Sequence, residues 1–162
     1  MSAVLESPVQ ERTVLLDYTQ KYQERVLMLA REMHAESVTH RNMPLDEPGL
    51  AAQLLAAAKA PDSYCRIAVR GEDVLGGFLG QIGPGFFTTE RGAKELVWFV
   101  KPSARGSRAA IMLLADFEIW GRFKGARKCF LSQSTGVAVD ETARLFVRLG
   151  YRVVGVNAMK EI

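Results

Sequence analysis

Apolar positions along this chain fall into two rhythms. Some alternate or cluster over short stretches, as strands do; others recur at three and four, as helices do. The run RTVLLDY at 12–18 reads as a first strand. Thr19 is placed to cap a helix whose face is Tyr22, Val26, Leu29, Ala30 and Met33, fading near Ser37. Residues 36–46 have no clean period. Asp46 caps a second helix, with Pro48 in its first turn and an Ala- and Leu-rich body that Pro61 and Asp62 end. Residues 64–70 and 74–82 read as strands joined by the turn Gly71-Glu72-Asp73. Gly83-Pro84-Gly85 is expected to break the second of them, leaving Phe86 to Gly92 as a loop.

The stretch that organises the rest runs from Ala93 to Gly125. AKELVWFV has the composition of a buried strand, and Pro102 forbids its continuing. Ser103 to Ser107 is a small, polar turn. From Arg108, the positions Ile111, Leu114, Ala115, Ile119 and Phe123 make a helical face, and Gly125 stops the helix. A further strand follows at 127–132, then a polar loop. Asp140 caps a last helix that ends at Gly150, and Tyr151 to Ile162 is again strand-like. The order β, α, α, β, β, β, α, β, α, β predicts an α/β (α+β mixed) fold, a mixed sheet with helices on its faces.

Composition narrows the class. The chain has 162 residues, nearly half hydrophobic and a quarter charged, which suits one globular domain over 12–162. Residues 1–11 are polar and expected to be flexible. A net charge of +3 is too small to argue for nucleic acid by itself. The first residues are too polar for a secretory signal, and no apolar run is long enough to span a bilayer, so a cytoplasmic protein off the membrane is expected. Cys65 and Cys129 lack metal spacing with His34 and His40 and read as buried free thiols.

The turn between strand and helix carries the first chemistry. A helix start leaves backbone N–H groups unpaired, and the helix dipole places positive potential there. Arg105 and Arg108 add charge, while Gly106, Ser107, Ala109 and Ala110 are small enough to admit an anion to the backbone. Such a corner is suited to a phosphate.

The run Val100 to Ala110, VKPSARGSRAA, resembles motif A of the GNAT (GCN5-related) N-acetyltransferase family: Val-x-Pro, a gap, then Arg/Gln-x-x-Gly-x-Gly/Ala. Arg105 and Ala110 match, and Arg108 stands where the motif has its middle glycine. The resemblance covers most of the chain in the family's order of elements. It implies a mixed sheet of six or seven strands with about four helices, and a split parallel pair of strands holding acetyl-CoA as cosubstrate. Its pantetheine arm would then lie along Trp98, Phe99 and Val100, with an N–H near Phe99 or Val100 facing the thioester oxygen. The pyrophosphate would rest on Arg105, Gly106, Ser107, Arg108, Ala109 and Ala110.

The activity so implied is acetyl transfer to a primary amine of a small molecule, a protein lysine or a protein N-terminus. Glu95 takes the place of a general base. The tyrosine usually proposed to protonate the leaving thiolate is replaced by Phe146, which leaves water, Ser134 or Tyr151 to help. Asp140 takes the place of an asparagine that holds a cofactor amide. His34 and His40 flank the segment expected to cover the acceptor, and a homodimer is left open. Two rivals stand beside this reading. One is a catalytically silent GNAT-like domain that binds CoA or a protein, favoured by Phe146 and Arg108. The other is a basic nucleic-acid-binding module built on Arg105, Arg108, Arg122, Lys124, Arg127 and Lys128; it lacks interleaved aromatics.

Overall fold

The computed structural model describes residues 11–162; the expected flexible segment lies, but for Glu11, outside them. Five strands, β1 (Thr13–Asp17), β2 (Ser63–Arg70), β3 (Asp73–Gly85), β4 (Thr88–Val100) and β5 (Lys128–Phe130), form one sheet in chain order. The first three pairings are antiparallel and the last, β4 with β5, is parallel. Four helices complete the fold: α1 (Gln23–Glu36), α2 (Glu47–Lys59), α3 (Ala109–Phe123) and α4 (Val139–Arg148).

Two apolar layers sandwich the sheet. Tyr64, Ala68, Phe78, Ala93 and Val100 pack under α3 through Ala109, Leu113, Leu114 and Phe117. On the other side Ile67, Val69 and Val74 meet Leu29 of α1 and Leu54 of α2. Alternation along β2 produces this division, with Tyr64 and Ala68 on one face and Ile67 and Val69 on the other. Asp46 caps α2 as expected, its Oδ1 accepting from Gly49 N–H at 3.0 Å, with proline in the first turn.

Several sequence expectations fail for identifiable reasons. β3 runs on through Gly83-Pro84-Gly85 instead of breaking before it, and residues 88–92 are strand rather than loop. Cross-strand pairing carries both strands to a tight hairpin at Phe86 and Phe87. Thr19 precedes a short 3-10 turn (Gln20–Tyr22) and makes no side-chain cap. Asp140 is not a cap either; Ala138 holds that position in the left-handed region, at φ 46°. The apolar face read for α3 is largely the wrong one. Ile111, Ala115, Ile119 and Phe123 face outward, because small Ala109 and Gly121 and bulky Leu113 and Phe117 let the opposite stripe sit close to the sheet. Residues 151–162 form no strand, so the sheet has five strands, not six or seven.

Two extra residues set which side chains face which layer. β3 is bulged at Leu75, where Val69 pairs Val74 but Ala68 pairs Gly76. β4 is bulged at Leu96, where Leu79 pairs Val97 but Gly80 pairs Glu95. A bulge reverses the alternation beyond it. Ala93 and Trp98, five apart, therefore both meet the α3 layer, and Phe99 turns to the other.

Opposite this second bulge the fit is tight. A Cβ at Gly80 would lie 2.4 Å from the ring of Phe117, which is fully buried. Gly80→Ala is expected to destabilise the fold by about 1–3 kcal/mol, as overpacking does, measured by urea unfolding. An unchanged midpoint would show that Phe117 has room to move.

Candidate active site

The site grows from the place where β4 and β5 part. They pair over three positions, Gly92 with Lys128, Ala93 with Cys129 and Lys94 with Phe130. Two residues past β5 the chain has left the ladder: Ser132 N–H donates to Glu95 Oε2 at 3.0 Å, and Ser132 Oγ–H donates to the same oxygen at 2.9 Å. A side chain replaces a strand partner, and the two strands separate. Glu95 Oε1 takes no hydrogen bond among the described residues. Burial pushes the Glu95 carboxyl up from its ordinary value, and the two Ser132 donors oppose this in part.

Beyond the separation, the far edge of β4 is open. Lys101 N–H donates to Leu75 C=O at 2.9 Å, and residues 97, 99 and 101 share that orientation toward β3. The N–H groups of Trp98 and Val100 therefore face the gap, whereas Phe99 N–H is used in the sheet. Of the two amides proposed from sequence, geometry leaves Val100. The Trp98 ring stacks on buried Phe146, centroids 6.4 Å apart and planes at 15°, and its indole N–H is buried without an acceptor. Phe99 packs in the opposite layer, under the Arg105 guanidinium at 5.6 Å.

Past β4 the chain makes a 3-10 turn (Pro102–Ala104) and enters α3. Within the turn, Ser107 N–H reaches Ala104 C=O at 3.1 Å and Ala109 N–H reaches Ser107 Oγ at 3.3 Å. The N–H groups of Gly106, Arg108 and Ala110 have no acceptor among the described residues. Gly106 adopts φ 81°, which a side chain would strain, and nothing lies within 4 Å of the point where a Cβ would stand. Three of the backbone amides read from sequence as an anion cradle are thus unpaired among the described residues, while those of Ser107 and Ala109 are bonded within the turn. Arg108 is exposed and makes no ion pair among the described residues.

Arg105 is differently employed. Its Nη1 and Nη2 each donate to Glu36, at 2.6 Å, and Nε donates to Val100 C=O at 3.2 Å. Its charge ties the end of α1 to the end of β4, so its side chain is held away from the cradle. Nothing in the local pattern marks this partner, since Glu36 reads only as one charge in a mixed loop.

Two loops roof the gap. Val38 N–H donates to Thr135 C=O at 2.8 Å, and Thr39 Oγ1 donates to Ser134 C=O at 2.7 Å. Buried Ser37 reaches Thr135 C=O as well, and His34 Nε2 pairs with Met43 C=O at 2.7 Å. Segment 37–46 and loop 133–138 are therefore joined through residues 37–39 and 134–135, the loop following directly on Ser132.

Two other expected residues sit apart. Tyr151 donates to Glu118 Oε1 at 2.6 Å and lies 3.3 Å from Cys129 Sγ; burial holds its proton well above the usual phenol range. It has no partner at the gap. Asp140 is exposed in the first turn of α4 and bonds nothing among the described residues. Neither marked concavity of the surface coincides with the gap: one lies between α4 and Val153, the other beside the β3–β4 hairpin. The gap is an open furrow between strand edges. Among the described residues no helix is long and apolar enough to cross a membrane.

No family profile matches the sequence, and no curated protein matches it. Solved structures do. A transcriptional regulator from Bacillus halodurans superposes with a TM-score of 0.75 at 15% identity, over 93% of this chain and 100% of that one. An aminoglycoside N-acetyltransferase in complex with CoA gives 0.74 at 17%, over 97% and 99%. A GNAT family acetyltransferase from Staphylococcus aureus gives 0.63 at 13%, over 93% and 98%. The chain has the GNAT fold.

The Arg105–Glu36 tie should be legible in acid. Arg105 holds the Glu36 carboxyl below its ordinary value. That stabilisation is present above the unfolded value of 4.5 and is lost as pH falls through the lower folded value. Glu36→Gln is expected to be less stable than the parent near neutral pH, with the difference shrinking below about pH 4.5 in denaturant melts. A difference independent of pH would remove the ion pair as its cause.

Proposed function

We propose that this chain is an N-acetyltransferase that moves acetyl from acetyl-CoA to a primary amine. One observation carries the reading: the sheet's single parallel pair opens at a half-buried carboxylate, and the strand edge it exposes leads straight into unpaired N–H groups at the start of α3. A thioester on a long amide-bearing arm that ends in a diphosphate matches that layout. The amide arm would lie on the β4 edge by Trp98 and Val100, and the diphosphate on Gly106, Ser107, Arg108, Ala109 and Ala110. The likeness of fold to an enzyme solved with CoA supports the same placement.

Amine acyl transfer needs an unprotonated amine and a polarised carbonyl. Glu95 supplies the first requirement. Its Oε1 is the free oxygen, it is half-buried, and its raised pKa makes it a better base than an exposed glutamate. Val100 N–H supplies the second from a rigid strand. No phenol occupies position 146; Phe146 is packed against Trp98, so the leaving thiolate departs with water or unassisted. The same replacement favours a second reading, a silent domain that binds CoA without turnover. The roofing segments 37–46 and 133–138 are placed to meet the amine, whose identity stays at the level of class. A soluble, cytoplasmic setting fits the chemistry.

Acetyl-CoA at one hundred times its Kd is expected to stabilise the fold by about 2.7 kcal/mol, seen as a raised Tm. Thiol release in the presence of an amine panel then separates enzyme from silent domain. In the enzyme, Glu95→Gln is expected to lower kcat at least tenfold with the KM for acetyl-CoA nearly unchanged. Ser132→Ala removes one of the two donors that hold the Glu95 pKa down, the hydroxyl, and leaves the backbone N–H, so the acid limb of kcat/KM should move to higher pH. A limb that stays in place would take the base role from Glu95.

A further inference from the structure

The far end of the sheet, at the start of β4, carries features that acetyl transfer does not use. Phe86 and Phe87 crown the β3–β4 hairpin, 94% and 95% exposed, with ring centroids 4.8 Å apart. Single exposed apolar side chains are common, but two adjacent phenylalanines bared at a hairpin apex ask for a partner. Beside them a groove of about 270 Å³ runs between the hairpin and β5. Gly83, Gly85 and Gly92 keep its floor low, and Phe86 and half-exposed Phe130 wall it. Its cations are Arg91, Lys94, Arg127 and Lys128, against one carboxylate, Glu90. Arg91 is neutralised by Asp62 at 2.6 Å. Lys94, Arg127 and Lys128 make no ion pair among the described residues.

Aromatic walls beside free cations select their ligand. A flat bilayer would cover the apex and leave the concave groove empty. A second copy would bring Lys94, Arg127 and Lys128 against their own like charges. An acidic peptide would meet the cations and leave the rings bare. A chain with a negative charge and a flat ring in every repeat satisfies both. We propose that this groove binds single-stranded nucleic acid, with phosphates at Lys94, Arg127 and Lys128 and bases stacked on Phe86, Phe87 and Phe130. The basic run is plain in the sequence, but the aromatics that complete it lie some forty residues earlier, and only the hairpin brings them alongside.

Fluorescence anisotropy of the full chain with labelled 12-nucleotide oligo(U) and oligo(dT), across salt, tests this. Binding should weaken linearly in log salt, and the slope should fall by roughly 0.7 for each of Lys94, Arg127 and Lys128 changed to alanine. Phe86→Ala with Phe87→Ala should weaken binding about tenfold or more while leaving the salt slope unchanged. Acetyl-CoA should raise the Tm of these variants as it does the parent, which shows that they fold and keeps this test separate from the proposed reaction. Several results would overturn the proposal: no oligonucleotide binding at 50 mM salt, or affinity for poly-glutamate or heparin that equals it and ignores the phenylalanines. Binding to vesicles of phosphatidylserine and phosphatidylcholine in place of the oligonucleotides would do so too, as would a dimer that Phe87→Ala dissolves.

Discussion

A parallel ladder that stops after three residues is the constraint on which the rest of this molecule turns. Buried backbone groups must find partners, and two strands that separate abandon theirs. Here Ser132 finds a carboxylate, and the N–H groups of Trp98 and Val100 have no strand partner across the gap among the described residues. The start of α3 adds unpaired amides a few residues later. Those unfilled donors stand at two places, the edge of β4 and the start of the helix, with a bonded turn between them. A ligand that satisfies both must carry acceptors at both, as the amide arm and the diphosphate of the proposed substrate do.

The residues around that line are arranged to keep it fixed. Arg105, in a turn of high exposure, is fastened to Glu36 and to Val100 C=O and lies over Phe99. It joins the end of α1, the end of β4 and the turn without contributing its charge to the amides. On the opposite flank, Gln133 braces its own loop by donating to Val137 C=O at 2.6 Å and accepting from Thr135. That loop in turn carries Ala138 in the left-handed region, a strain of about 1–2 kcal/mol that its contacts with segment 37–46 help to hold. Segments that would otherwise be loose are pinned where an acceptor would enter.

How much of this could be read from the sequence differs from element to element. The strand-turn-helix unit and its open amides were legible, because proline, glycine and small residues dictate backbone geometry directly. Asp46 as a cap was legible for the same reason. Glu95 was offered by the family resemblance alone, and Ser132 not at all, since a contact between separate strands leaves no local pattern. The α3 face was misread because two stripes at helical spacing lie on opposite sides, and only the close approach of Ala109 and Gly121 to the sheet chooses between them. The hairpin was misread because a glycine-proline-glycine run predicts a break, while pairing along a long neighbour outweighs it. Residues 151–162 have strand-like composition but pair with no strand among the described residues.

The bulge at Leu96 has an evolutionary corollary. It acts as a phase shift between the base and the donor that would serve one reaction. Before it, the strand presents odd-numbered residues to the helix layer; after it, even-numbered ones. Loss or gain of a single codon between Ala93 and Val97 would rotate Trp98 and Val100 half a turn while leaving Glu95 where it is, or the converse. Point substitutions at the surrounding positions leave that phase intact, whereas a change of length in this short interval would not. Frame, rather than side-chain identity, is what selection on this strand would guard.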